Sequence, residues 1–140
     1  MKDIQQRLNL THSGVMKMLS AGIAKAEEMN VPQCIVIVDA SGELLGEIRM
    51  TGSKFLSRKS AKVKALTAAS IGATGTNIPE EVRTSIGLAT QGTVSGLPGG
   101  LPIKIDGDLL GGIGVGSGSG EQDFAVATAA LEAIGAATDV

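Results

Sequence analysis

Aromatic side chains are almost missing from this sequence: its 140 residues include two phenylalanines and no tryptophan or tyrosine. An excess of charge of one sign is also missing, since 12 basic residues face 14 acidic ones and the formal net charge is −2. Nucleic-acid binding therefore has neither an electrostatic nor a stacking basis. For the same reason we expect no pocket walled by tryptophan or tyrosine.

Cysteine and histidine are equally scarce, with one residue of each, Cys34 and His12. A lone cysteine excludes an internal disulfide, and together with a lone histidine it excludes a Cys/His zinc site. Cys34 begins the apolar run Cys34–Val38. We therefore expect a buried core thiol rather than a reactive one.

Long hydrophobic segments are absent as well. The longest strongly apolar run, Ile35–Val38, is far shorter than the roughly 20 residues that a transmembrane helix needs. Residues 1–7 lack the apolar centre of a signal peptide. With 43% hydrophobic and 19% charged residues, the composition is typical of a globular protein. We expect one cytoplasmic domain over residues 1–140, without membrane association.

Periodicity predicts the secondary structure. Apolar residues spaced three or four apart indicate helices at about 11–29, 54–73 and 120–136, with a short helix after Pro79. Strands are predicted at 33–39, 43–50, 101–105 and 108–116, joined as two hairpins. In the second helix we expect the inner face to comprise Leu56, Val63, Leu66, Ser70 and Ala73. Hairpins imply an antiparallel sheet with helices packed on it, the α+β class.

Six glycines lie within the ten residues Gly111–Gly120, between a predicted strand and a predicted helix. The segment contains neither the Gly-x-Gly-x-x-Gly dinucleotide motif nor a phosphate-binding loop with Gly-Lys-Ser/Thr. We therefore expect no nucleotide site. A strand this rich in glycine lets another backbone or a ligand approach closely.

Two carboxylates, Glu121 and Asp123, follow this glycine segment. They can act as general acid or base or bind a metal. They can also complement the dipole of the last helix, where Ser119 and Gln122 match a capping box. The spacing alone favours the structural role.

Lys64 lies on the opposite side of its predicted helix from Lys59 and beside Val63, so it can point toward the sheet. One interpretation is that it holds a carboxylate or carbonyl oxygen of a ligand. The other is an ion pair with Asp39 or Glu121 at a contact between subunits. The residues alone do not separate the two.

His12 is predicted in the first turn of the first helix. A single histidine can be an axial ligand of haem iron, although a histidine at a helix start is more often simply exposed. Met16 and Met18 are alternative ligands, but they fit better as core or interface residues.

Several motifs occur in an order that resembles a known family. They are Val36-Ile37-Val38-Asp39-x-x-Gly42, Arg49-Met50-x-Gly52, Ala61-x-x-Lys64-Ala65-x-Thr67-Ala68, Gly99-Gly100-Leu101-Pro102-Ile103, and Gly107 onward to Glu121-Gln122-Asp123. This order resembles the GlcG/HbpS-like family, also called the haem-degrading domain family, which includes the C-terminal domain of PduO-type proteins. The resemblance extends from about residue 10 to residue 135.

The resemblance implies a profilin-like layered fold with an antiparallel sheet of about five strands, and a homo-oligomer built from dimers in a bacterial cytoplasm. It also implies an association with haem in some relatives and with catabolic pathways in others. In some haem-binding members the ligand is a histidine on the first helix, near His12. The family's recurrent positions correspond here to Asp39, Gly42, Arg49, Lys64, Gly99, Gly100, Pro102, Glu121 and Asp123.

Two functional hypotheses follow, with a structural alternative. In the first, the protein binds haem or a small carboxylated catabolite between the second helix, the Gly99-Gly100 loop and the last helix, with Arg49, Lys64 and Asp39 among the binding residues. In the second, it is an isomerase or hydrolase acting on a small organic acid. Glu121 or Asp123 would then be the general base, and Lys64 or Arg49 would stabilise developing negative charge. In the structural alternative, the same polar residues hold an oligomer together.

Overall fold

The computed structural model describes residues 2–140 as four helices and four strands in the order α1-β1-β2-α2-α3-β3-β4-α4. The helices and strands are α1 (His12–Glu28), β1 (Cys34–Asp39), β2 (Leu44–Arg49), α2 (Ser57–Ile71), α3 (Glu80–Ala89), β3 (Gly100–Ile105), β4 (Asp108–Gly116) and α4 (Gly120–Ala133). A short 3₁₀ turn at Gly75–Asn77 lies between α2 and α3. Within residues 2–140, no helix combines the length and apolar character needed to cross a bilayer.

The four strands form one antiparallel sheet in the order β2-β1-β4-β3. The predicted α+β class is therefore confirmed. The expected count of about five strands is wrong, because each of the two predicted hairpins contributes two strands and the segment between α2 and β3 forms a 3₁₀ turn and α3 instead. Asp106 and Gly107, both with positive φ, make the tight turn of the second hairpin as predicted.

The sheet is covered on both faces. On one face α1 and α4 pack over the larger hydrophobic cluster, which includes Met18, Ile35, Ile37, Ile113 and Leu131. On the other face α2 packs over a smaller cluster: Cys34, Val36, Val38, Ala61, Ala65 and Ala69. The Cys34 thiol is buried, as predicted.

The inner face predicted for α2 is wrong except at Leu66, which packs, partly buried, against the smaller cluster. Leu56 is 62% exposed, and the buried residues of the helix are mostly small: Ser57, Ala61, Lys64, Ala65, Thr67, Ala68 and Ala69. The physical reason is that α2 lies over Gly112, Gly114 and Gly116 of β4. A Cβ on Gly114 would collide with the carbonyl oxygen of Ala61 and lie 2.6 Å from the Ala65 nitrogen. The helix and the strand therefore meet backbone to backbone, and large side chains do not fit between them.

Candidate functional site

A buried polar cluster lies where α2, β4 and the start of α4 meet. The Lys64 ammonium donates to Asp123 Oδ2 at 3.0 Å and to the Val115 carbonyl at 2.7 Å. The two side chains are only 7% and 3% exposed. The prediction that Lys64 points toward the sheet is confirmed, and its partner is Asp123 rather than Asp39 or Glu121.

Asp123 has further donors around its second oxygen. The Gly118 backbone N–H donates to Oδ1 at 3.0 Å. With its side-chain nitrogen facing the acceptors, Gln33 donates to Oδ1 at 2.7 Å and to the Gly116 carbonyl at 2.9 Å. The carboxylate thus accepts three hydrogen bonds from within the protein, which compensates for its removal from water.

Burial raises the pKa of Asp123 above its usual range, because a charged carboxylate is poorly solvated there. The positive charge and hydrogen bond of Lys64 act in the opposite direction and lower this pKa, as does the hydrogen bond from Gly118. The desolvation effect is the largest. Asp123 therefore combines a perturbed pKa with a cationic neighbour, a combination that is frequent at functional sites but is also found in structural ion pairs.

Gly99 and Gly100 are packed directly against this cluster. A Cβ on Gly99 would lie 2.7 Å from the Val115 carbonyl oxygen and 2.8 Å from Asp123 Cβ, and Gly99 has a φ of +113°. A Cβ on Gly100 would lie 2.5 Å from the Lys64 carbonyl oxygen. The structure therefore brings Lys64, Asp123, Gly99 and Gly100 together.

The other predicted site residues lie apart from this cluster. Asp39 closes the β1–β2 hairpin, where its Oδ1 accepts from the Ser41 and Glu43 backbone N–H groups at 2.8 and 3.0 Å. Arg49 ends β2 and is exposed. Glu121 is exposed in the first turn of α4, and His12 is exposed at the first position of α1.

The capping box predicted at the start of α4 is present. The Ser119 hydroxyl accepts from the Gln122 N–H at 3.2 Å, and the Gln122 side chain accepts from the Ser119 N–H at 2.9 Å. Glu121 and Asp123 lie in this first turn and complement the helix dipole. Sequence reasoning missed Gln33, although a polar residue directly before a continuous apolar strand is a signal of a buried polar role.

This chain is similar to known proteins over most of its length. The family model described as "Haem degrading protein HbpS-like" matches residues 10–132. Corrinoid adenosyltransferase PduO of Citrobacter freundii is 32% identical over 136 residues, which is 94% of this chain. The chain spans only 41% of the length of that relative and 40% of the length of PduO from Salmonella typhimurium.

Two solved structures share the fold closely. A complex of PduOC with haem has a TM-score of 0.86 and 29% identity, and the match covers 94% of this chain and 99% of that one. The Klebsiella pneumoniae protein ORFY has a TM-score of 0.91 and 28% identity, and the match covers 96% and 97% of the two chains. The layered fold implied by the sequence motifs is therefore confirmed.

Proposed function

Because this chain belongs to the HbpS-like family of haem degrading proteins, we propose that it is a small-ligand-binding protein and that its ligand is haem. The observation that carries the proposal is its similarity in fold to the complex of PduOC with haem, which extends over 94% of the chain. When bound, haem iron supplies redox and ligand-exchange chemistry. The protein would supply a ligand for the iron and the surface that holds the porphyrin.

The donor atoms available on α1 fit such a ligand. His12 is exposed at the first position of the helix, and Met16, which is 60% exposed, follows one turn later on the same side. An imidazole nitrogen and a thioether sulfur are both common axial ligands of haem iron. Met18, by contrast, is fully buried in the main cluster, so it serves as a core residue.

The start of α1 also offers apolar surface. Leu8 and Met16, which are 57% and 60% exposed, lie four residues before and four residues after His12. Because aromatic residues are so few, aliphatic side chains of this kind would contact the porphyrin. We therefore propose His12 as the iron ligand and the start of α1 as the haem-binding surface.

Titration with haemin, followed by visible absorption, tests the proposal. We expect a Soret shift in the wild type, a changed spectrum or weaker binding in His12→Ala, and a smaller change in Met16→Ala. Lys17→Ala is the matched control, because Lys17 is an exposed neighbour on the same helix and should leave the titration unchanged. The absence of any Soret shift would contradict haem binding. A Soret shift that is the same in His12→Ala and Met16→Ala as in the wild type would contradict ligation from α1.

The catalytic alternative stays a prediction and has less support. Its two strongest members, Lys64 and Asp123, are buried and hydrogen-bond to each other. A ligand would have to break that pair to reach either group. Glu121 is exposed and remains available as a base. We therefore propose that Lys64 and Asp123 stabilise the fold, with Gly99 and Gly100 packed against them.

A further inference from the structure

A small cavity of about 130 Å³ lies between the end of β2 and the start of α2. It is lined by Cys34, Val36, Glu47, Ile48, Arg49 and Arg58. Arg49 pairs with Cys34 in the β1–β2 ladder, so both side chains lie on the face of the sheet that α2 covers. Arg58 is the second residue of α2. Two arginines from different elements therefore border the same space.

Neither arginine forms an ion pair with another residue in the part of the chain that the structure describes. Among residues 2–140 the ion pairs closer than 4.0 Å are Lys25–Glu28 and Lys64–Asp123. Glu47 is the one acidic side chain that lines the cavity, so the cavity wall carries two positive charges against one negative charge. Two like charges at one small cavity repel each other, and an anion between them relieves that repulsion.

The N-terminus of α2 would not hold this anion. The first N–H groups of the helix are already bonded, because the N–H groups of Ser57 and Arg58 donate to the carbonyls of Lys54 and Phe55 at 3.0 and 3.2 Å. The arginine side chains must therefore provide the recognition. A guanidinium presents a planar set of N–H donors that matches the two oxygens of a carboxylate or phosphate.

We propose that this cavity binds a small oxyanion, the carboxylate or phosphate group of a metabolite, between Arg49 and Arg58. Its volume equals about four water molecules at roughly 30 Å³ each. This space fits an anion of a few heavy atoms and is far too small for a porphyrin. The site is separate from the haem-binding surface proposed above. Ile48 and Arg49 lie near the end of α1, where they border a cavity with Ile23, Ala26 and Glu27, whereas His12 is the first residue of that helix.

The remaining walls favour a carboxylate over a phosphate. Cys34 and Val36 are each 1% exposed and form the inner end of the cavity. The Cys34 thiol already contacts the Ser53 hydroxyl at 3.5 Å and the Lys54 carbonyl at 3.8 Å. An apolar inner end with two cations nearer the solvent suits a short organic acid, whose methyl group would face Val36.

Calorimetric titration with acetate and with inorganic phosphate at low ionic strength tests the proposal. We expect Arg49→Gln and Arg58→Gln each to weaken acetate binding at least tenfold, and Glu47→Gln to strengthen it severalfold. Lys59→Gln is the control, because it removes the same charge from the residue next to Arg58 without touching the cavity. It should change the affinity less than twofold. Circular dichroism verifies that each variant is folded.

Backbone amide shifts identify the location. We expect the anion to shift the amide signals of Cys34 and Ile48, and to leave those of α1 unchanged. Tighter binding of acetate supports a carboxylate ligand, and tighter binding of phosphate supports a phosphate ligand at the same two arginines. The proposal would be overturned if neither anion bound. It would also be overturned if Lys59→Gln weakened binding as much as Arg49→Gln and Arg58→Gln do, because that result would indicate attraction to the overall charge of α2. Neither result would bear on the haemin titration.

Discussion

At the scale of single residues, the Lys64–Asp123 pair places two opposite charges where solvent barely reaches. Removing such groups from water is costly, and their mutual attraction compensates only when the remaining hydrogen bonds are made. Here Val115, Gly118 and Gln33 make them. The inward direction of Lys64 could be predicted from its helical position. Its partner could not, because the spacing along the chain did not distinguish Asp123 from the other carboxylates.

We predict that Lys64→Met lowers the free energy of unfolding by about 3–5 kcal/mol, because it leaves the Asp123 carboxylate buried without its cation. Urea unfolding measures the change. The double variant Lys64→Met/Asp123→Asn should recover part of the loss, since the uncompensated charge is removed. A Lys64→Met protein as stable as the wild type would contradict a stabilising role for the pair.

The raised pKa of Asp123 predicts a dependence on pH. A carboxyl group whose pKa is higher in the folded protein than in the unfolded chain binds protons preferentially in the folded state. Its contribution to stability is therefore greatest below its ordinary pKa of 3.8 and is lost as the pH rises through the raised value. We expect the free energy of unfolding of the wild type, minus that of Asp123→Asn, to fall as the pH rises through this range.

Unfolding by urea at a series of pH values measures that difference. In Lys64→Met this decrease in stability should continue to higher pH, because the positive charge that lowers the pKa of Asp123 is gone. A difference between wild type and Asp123→Asn that rises with pH would mean that the pKa is lowered rather than raised.

At the scale of secondary structure, most helices and strands were predictable from the sequence. The inner face of α2 was not, because it depends on the contact between α2 and β4. Periodicity and turn residues locate the helices and strands because these signals are local. The inner face of α2 depends instead on its partner. Glycines at alternate positions of β4 require small residues opposite them, and Ala61, Ala65 and Ala69 supply these at intervals of four. The alternate glycines of β4, together with alanines at intervals of four in α2, are the signal that could have identified the inner face of α2.

We predict that Gly114→Ala destabilises the protein by about 3 kcal/mol, because the new methyl group must displace the backbone of α2 at Ala61 and Ala65. Thermal and urea unfolding both measure this change. Gly87→Ala in α3 is the control, since its nearest neighbour would be the Val94 carbonyl at 3.7 Å. It should leave stability unchanged or raise it by about 0.5–1 kcal/mol. Equal effects of the two substitutions would contradict the close contact of α2 with β4.

At the scale of the whole molecule, exposed apolar residues gather around α3. None of the ten described residues of this helix is fully buried, and Leu88 is 77% exposed. Between α3 and the end of α2 lies a cavity of about 550 Å³ bordered by Ile71, Ile78, Val82 and Ile86. Apolar surface of this kind commonly marks a contact between proteins. We propose that it contributes to the homo-oligomer implied by the resemblance to the family.

Sedimentation velocity tests this proposal. We expect Val82→Lys to shift the protein toward smaller species, because it places a charge at the border of this cavity, where Val82 is 44% exposed. Phe55→Lys is the control, since Phe55 is an apolar residue that is also exposed, at 74%, but lies just before α2. A monomeric wild type would contradict the proposal, and so would an equal loss of mass in both variants.

The glycine strand β4 has a consequence for how the protein tolerates change. Where side chains fill the space between two layers, the distance between the layers varies with the size of those side chains. Between β4 and α2 that distance is set at Gly112 and Gly114 by contact with backbone atoms of Ala61, Ala65 and Ala69. We therefore expect mutations that enlarge or shrink the core under α1 and α4 to leave the spacing of the opposite layer unchanged.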